Sequence, residues 1–151
     1  MSEVALRAFK EFGDALAAAD ARGGADPAAR LREQGLAYVK FALAHPARFQ
    51  LMFRHPMYDI AYPGLSDTGA RAFAVLEHAV RAAMALPQGS KMTPDAFGFL
   101  LATWSIVHGF AHLALGGDLD SAAQGQGGRK AVLDRFLPLM LEHLPAPPRP
   151  R

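Results

Sequence analysis

TPDAFGFLLATWSIVHGFAHLALGG, residues 93–117, is the most informative stretch of this sequence, because it reads as one long helix that is apolar almost all the way round. Thr93 can cap the helix, Pro94 suits its first position, and Asp95 places negative charge at the positive end of the helix dipole. Two glycines then end it. A helix of this kind must be buried on more than one side, either in a large core or between subunits.

Three lines of residues run along this helix at the spacing of three and four that marks one helix face. The first line is Phe97, Leu100, Leu101, Trp104, His108, Ala111 and Leu115. The second is Phe99, Thr103, Ile106, Phe110 and Leu113. The third contains small residues, which would let another helix backbone approach closely: Gly98, Ala102, Ser105 and Gly109. Because the core of one monomer need not cover all three lines, a second copy of the chain is expected to cover the rest.

Composition narrows the class of protein. The 151 residues include 16 Lys and Arg against 14 Asp and Glu, and no cysteine, which excludes disulfides and thiol catalysis. The basic residues are spread along the chain, so direct reading of DNA by this chain is not expected. The longest nearly apolar run, Phe97 to Val107, falls short of the ~20 residues that span a bilayer, and the N-terminus does not read as a secretion signal. We therefore expect a cytoplasmic protein without membrane contact.

Six helical segments lie between strong breakers, and no alternating strand pattern is present, so the predicted class is all-α. The segments are about 2–20, 27–45, 47–54, 66–86, 94–115 and 129–144. Pro138 should kink the last helix by removing one backbone hydrogen bond. We expect one helical domain over residues 1–144 and an extended, disordered proline-rich tail over residues 145–151.

Two motifs in this order carry a family resemblance. LAYVKFALAHPARFQLMF at Leu36–Phe53 is followed about fifty residues later by WSIVHGFAHL at Trp104–Leu113. Together they resemble the C-terminal regulatory domain of TetR-type transcriptional repressors, in the subgroup named for its Trp-His-Gly signature. The likeness extends from Ser2 to Leu144.

The resemblance implies a regulatory domain that dimerises and senses a small effector. In that family an N-terminal helix-turn-helix domain of about fifty residues reads the operator DNA. This sequence starts at what resembles the first helix of the regulatory part, so DNA would be bound only through a domain that it lacks. The sequence could be an expressed fragment, a gene model begun at an internal methionine, or a natural headless relative.

A homodimer is predicted in which the helix after Thr93 and the last helix pair with their copies as a four-helix bundle. Self-complementary burial of this kind is typical of two-fold symmetric interfaces. The residues expected at the interface are Phe99, Ala102, Ile106, Gly109, Phe110, Phe136, Met140 and Leu144.

The same helical faces could enclose a ligand pocket, because they supply aromatic and methionine side chains with few charges. A mostly apolar or aromatic effector is expected, with the Tyr58–Tyr62 loop near the mouth. His108 either orients a polar group of the ligand or caps a buried carbonyl of a neighbouring helix. The expected lining residues are Phe12, Tyr38, Met52, Tyr58, Tyr62, Phe73, Met84, Trp104 and His108.

The sequence gives little support for metal binding or catalysis. His108 and His112 could hold a metal only if a third ligand such as Asp118 or His78 came near, and no glutamate completes a metalloprotease pattern. Paired carboxylates, a nucleophile elbow, a glycine-rich phosphate loop and a Ser/His/Asp arrangement are missing from the sequence. We therefore expect no enzyme, metal or cofactor. The alternatives to a repressor domain are a headless small-molecule binder and a structural dimerisation module without a ligand.

Overall fold

A computed structural model describes residues 1–149, apart from the side chains of His55 and Arg129. Over these residues the chain forms helices and turns without a strand, which confirms the all-α class. The α-helices are α1 (Ser2–Arg22), α2 (Pro27–Ala44), α3 (Pro46–Met52), α4 (Leu65–Ala83), α5 (Pro94–Gly116), α6 (Asp118–Ala122), α7 (Gly128–Ala131) and α8 (Leu137–Glu142). Short 3-10 turns lie at His55–Met57 and Gln124–Gln126.

Side-chain caps set the starts of α2 and α5. The Asp26 carboxylate accepts a hydrogen bond from the Ala28 N–H at the start of α2, and the Thr93 hydroxyl accepts one from the Ala96 N–H at the start of α5. The predicted start of α4 at Ser66 was wrong. Gly64 precedes this helix with φ +81°, a conformation that glycine adopts without steric cost, and the helix begins at Leu65.

The core lies where α1 packs against α2 and α4, and where α2 packs against α5 and α8. Phe49 and Met52 of α3 are fully buried in it, with Phe12 of α1 and Tyr38 of α2 beside them. Polar contacts join α1 and α2 at one edge: the Asp20 carboxylate accepts two hydrogen bonds, of 2.9 and 3.0 Å, from the Arg30 guanidinium. The arrangement brings the inner faces of α1, α2, α4 and α5 around one common space.

Gly35 allows α2 to approach two other helices closely. A Cβ at this position would lie 2.5 Å from Leu141 Cδ2 of α8 and 3.3 Å from Val107 Cγ1 of α5. The first distance is shorter than side chains tolerate, so a larger residue would force the Leu141 side chain to shift.

The last helical segment contains a wide turn rather than a simple kink. Val132–Phe136 forms a π-helical turn between α7 and α8, in which the Leu137 N–H donates to the Val132 carbonyl five residues earlier. Pro138 lacks an N–H, and its ring would clash with the carbonyl four residues back in a regular helix. The wider turn relieves both problems. Residues 145–149 have no regular structure, and Pro150 and Arg151 of the predicted disordered tail lie outside the described residues.

The faces of α5 differ from the three predicted lines. Its buried residues are Ala96, Phe99, Leu100, Thr103, Val107, Ala111 and Ala114. Phe99 is only 4% exposed and packs within the monomer core near Leu31 and Val80, so it was wrongly placed on the pairing surface. Phe97 and Leu101, expected inside, are 49% and 39% exposed. The error has a physical cause: a helix apolar on all sides has no polar face to fix its orientation.

Candidate functional site

A cavity of about 300 Å³ lies between α1, α2, α4 and α5, with the end of α3 and the loop after it closing one side. Its walls are mostly aliphatic and aromatic, and among the side chains that the structure describes no Asp, Glu, Lys, Arg or His lines it. Ile60, Ser66 and Ala70 line the cavity and are exposed to solvent, which places its mouth beside them. Such a concave, largely apolar space is typical of small-molecule sites.

Several residues that the sequence suggested for a pocket line this cavity. They are Phe12, Tyr38, Met52, Tyr58, Phe73 and Trp104. Tyr62 lies elsewhere and packs on the cluster formed by Ala5, Leu51, Tyr58 and Leu65. Met84, at the C-terminal end of α4, packs against the cluster that contains Leu100 and does not line the cavity. His108 does not line the cavity. It forms a hydrogen bond with Tyr38, which does line it.

Other lining residues were missed by the sequence interpretation. Leu16 and Leu31 lie on predicted inward faces and could have been found from helical spacing alone. Gln34 and Thr103 are polar residues that are 4% and 3% exposed, on apolar helix faces. A polar residue within an apolar line of a helix was the signal that could have identified them as lining residues.

Four side chains form a series of hydrogen bonds from the cavity wall to the surface. Trp104 Nε1 donates to the Tyr38 hydroxyl over 3.2 Å. The Tyr38 hydroxyl also shares a hydrogen bond with His108 Nδ1, and the tautomer of the ring sets which of the two groups donates. His108 Nε2 lies 3.0 Å from Nε2 of the exposed His112 and forms a hydrogen bond with it. The partner of His108 Nδ1 is therefore a tyrosine hydroxyl.

Burial keeps both central members of the series uncharged. Burial raises the pKa of the Tyr38 hydroxyl far above its ordinary value, more strongly than the hydrogen bond from Trp104 lowers it, so the hydroxyl remains a proton donor. Burial also lowers the pKa of His108, and the neighbouring His112 lowers it further. Protonation of His108 would make both ring nitrogens donors, so that neither could accept a hydrogen bond.

We expect the protein to lose thermal stability as the pH falls below about 6.5, the ordinary pKa of histidine. Because the pKa of His108 is lowered in the folded state, the unfolded chain takes up this proton first. The stability that neutral His108 contributes is complete above its pKa in the unfolded chain. It is lost as the pH falls through the pKa of His108 in the folded protein. Thermal unfolding followed by circular dichroism across this range measures it.

His108→Gln keeps an acceptor for Tyr38 without a titratable ring and should flatten the pH dependence. His143→Gln, at an exposed position after α8, serves as the control. A His108→Gln protein with the same pH dependence as the wild type would contradict the assignment.

The exposed face of α5 is a second candidate site. It contains Gly98, Leu101, Ala102, Ser105, Ile106, Gly109 and Leu113, and no charged residue. A Cβ added at Gly98 or Gly109 would meet nothing within 4 Å, so the small residues leave open space above the helix. Leu139 of α8 is 44% exposed, and Phe136, Phe110, Met140 and Leu144 are half-buried.

Length and composition alone would allow α5 to cross a membrane, although a third (33%) of its most apolar window is buried in the protein. A helix that packs on its own core and on a partner has the same composition. Among the described residues, no group of three His, Asp or Glu side chains could hold a metal ion, so His108 and His112 stay a pair.

Residues 31–136 match the family described as "Tetracyclin repressor-like, C-terminal domain". The solved structure of a protein with unknown function from Rhodococcus sp. RHA1 is similar, with a TM-score of 0.71 and 26% sequence identity over 95% of this chain and 72% of that chain. No curated protein gives a significant match. Domains of the matched family are regulatory rather than catalytic, and they generally dimerise and bind small effectors. The family match covers most of the chain and includes both motifs on which the resemblance rested, so this chain belongs to the TetR family as a C-terminal regulatory domain.

Proposed function

We propose that this chain is the sensory domain of a TetR-like transcriptional repressor, and that it binds a small apolar effector in the cavity between α1, α2, α4 and α5. The observation that carries the proposal is the cavity itself: about 300 Å³ between the helices, with no charged side chain among the described residues that line it. A solidly packed core would leave no such space, since protein interiors contain few voids larger than a water molecule.

The position of α5 supports coupling between ligand and dimer. Thr103, Trp104 and Val107 of α5 line the cavity, whereas Ala102 and Ile106 lie on the exposed face of the same helix. A ligand that displaces the inner side chains therefore acts on the helix that meets the partner. Such coupling requires that the ligand bind one arrangement of the dimer more tightly than the other.

The proposed dimer is two-fold symmetric, with α5 and the segment from α7 to α8 pairing with their copies as a four-helix bundle. Ala102, Ile106 and Gly109 would lie at its centre, with Phe110, Phe136, Met140 and Leu144 contributing their exposed parts. An obligate interface of this type should bury well over ~1,000 Å² in total. The uncharged surface of α5 supports the pairing, because monomeric proteins rarely expose large contiguous apolar patches.

In this proposal the domain works in the cytoplasm without a cofactor, and operator DNA is bound by a helix-turn-helix domain N-terminal to α1, as in other regulators of the family. A headless ligand carrier would use the same cavity, and a structural dimerisation module would use only the surface of α5. The three functions differ in whether a ligand binds and whether it alters the dimer.

A ligand screen with the intrinsic fluorescence of Trp104 tests the proposal directly, because this is the single tryptophan of the chain and it lines the cavity. We expect uncharged apolar compounds to change its emission and to raise the midpoint of thermal unfolding, since a ligand that binds only the native state stabilises it by mass action. Tyr38→Phe removes the hydroxyl between Trp104 and His108 and should alter both responses. A library that produces no shift would leave the purely structural alternative.

A further inference from the structure

The cavity has few polar groups, and most of them are already bound to the protein. The Tyr38 hydroxyl accepts from Trp104 and shares a hydrogen bond with His108, so the polar atoms of both cavity-lining rings are already bound. The carboxamide nitrogen of Gln34 donates to the Asp20 carboxylate over 2.8 Å and to the Val75 carbonyl over 3.3 Å. The Tyr58 hydroxyl donates to the Met52 carbonyl over 2.8 Å. None of these hydrogens is available to a ligand without breaking an existing contact.

Thr103 differs from these residues. It lies in the middle of α5, is 3% exposed and lines the cavity, yet its hydroxyl oxygen is buried and has no hydrogen-bond partner. A threonine within a helix commonly donates to the carbonyl four residues back, but the Thr103 hydroxyl does not. A buried hydroxyl without a partner destabilises a protein. The Thr103 oxygen is itself shielded from the cavity, and rotation about χ1, which exchanges the hydroxyl with the methyl group, would bring it to the cavity wall.

We infer that Thr103 is the polar anchor of the cavity, and that the ligand is an uncharged molecule with an apolar body and an oxygen that accepts a hydrogen bond from the Thr103 hydroxyl. The inference rests on the proposed function, because it assumes that the cavity binds a small molecule. An alcohol, ketone or aldehyde has the required chemistry. A carboxylate does not, since no basic side chain lines the cavity to balance a buried charge.

Three probes with the same hydrocarbon chain separate these features: octane, n-octanol and octanoate. Their binding is measured by Trp104 fluorescence and thermal shift on wild type, Thr103→Val and Thr103→Ser. Valine keeps the shape of threonine without its hydroxyl, whereas serine keeps the hydroxyl. We expect Thr103→Val to weaken n-octanol binding about tenfold, the usual effect of losing one buried hydrogen bond. Octane binding should change little, and Thr103→Ser should retain the affinity for n-octanol.

A second readout needs no ligand. Thr103→Val removes a buried hydroxyl without a partner, so the empty protein should unfold at the same temperature as wild type or a higher one. A purely structural role for the hydroxyl predicts the opposite, and a lower unfolding temperature would overturn the assignment.

The outcomes distinguish a failure of the proposed ligand binding from a failure of the assignment of Thr103 as the anchor. If n-octanol and octane bind and Thr103→Val weakens both equally or neither, the cavity binds ligands but Thr103 is not its anchor. If octanoate binds to wild type as tightly as n-octanol, the ligand need not be uncharged. If none of the probes binds to wild type, the proposed ligand-sensing function fails, whatever the unfolding temperature of Thr103→Val.

Discussion

Replacement of Ala102 by glutamate is expected to convert the proposed dimer into folded monomers. Ala102 is exposed on α5 between Gly98 and Gly109, where the helix surface is open and carries no charge. In a two-fold symmetric pair the two carboxylates would be buried close together without a basic partner. Since a single uncompensated buried charge costs about 3–5 kcal/mol, the dissociation constant should rise by at least about a hundredfold. Sedimentation velocity over a range of protein concentrations measures this change.

A matched control separates the interface from a general effect of the charge. Ala17→Glu makes the same substitution at an exposed position of α1, on a helix outside the proposed interface. This variant should remain dimeric, and circular dichroism should show native helix content for both proteins. Sedimentation of Ala102→Glu as a stable dimer would show that α5 does not form the interface, and a monomeric wild type at micromolar concentration would remove the dimer altogether.

Replacement of Gly69 by phenylalanine should abolish ligand binding while the protein stays folded. Gly69 lines the cavity from α4, and a Cβ added there would meet only the Phe9 ring, at 3.8 and 3.9 Å. A benzyl group at this position would occupy space that a ligand needs. We expect an affinity loss of about a hundredfold or more for n-octanol, because only displacement of packed side chains could restore the space. Trp104 fluorescence titration measures the affinity.

Gly69→Ala is the control for this substitution. It removes the glycine from the helix interior, which should raise the unfolding free energy by up to about 1 kcal/mol, but it adds only one methyl group at ordinary contact distance. Ligand affinity should therefore stay close to that of the wild type. Retention of n-octanol binding by Gly69→Phe would place the ligand outside this cavity.

Features of the fold that depend on neighbouring residues could be predicted from the sequence. Asp26 and Thr93 cap α2 and α5 as expected, because a cap is a contact within one helical turn. The start of α4 could not be predicted in this way. It depends on the positive φ of Gly64, and Ser66 offered an equally plausible cap two residues later.

Features that depend on contacts between helices were harder to predict. Met84 was assigned to an inward helix face and Tyr62 to the loop at the mouth of the pocket, and both pack against core clusters without lining the cavity. Spacing shows which face of a helix is buried and not which helix covers it. Thr103 was overlooked because a threonine in an apolar line is normally core, and only the structure shows that its hydroxyl has no partner.

The wide turn at Val132–Phe136 makes the end of the domain tolerant to a change in chain length. A π-helical turn holds one residue more than an α-helical turn, so the loss of one residue there would leave Val132 and Leu137 on their buried sides. The same loss inside α5 would rotate every following residue of that helix by about 100° and carry Val107 out of the core. Homologous domains can therefore differ by a residue in this turn without repacking, provided that Pro138, which needs the wider turn, is exchanged with it.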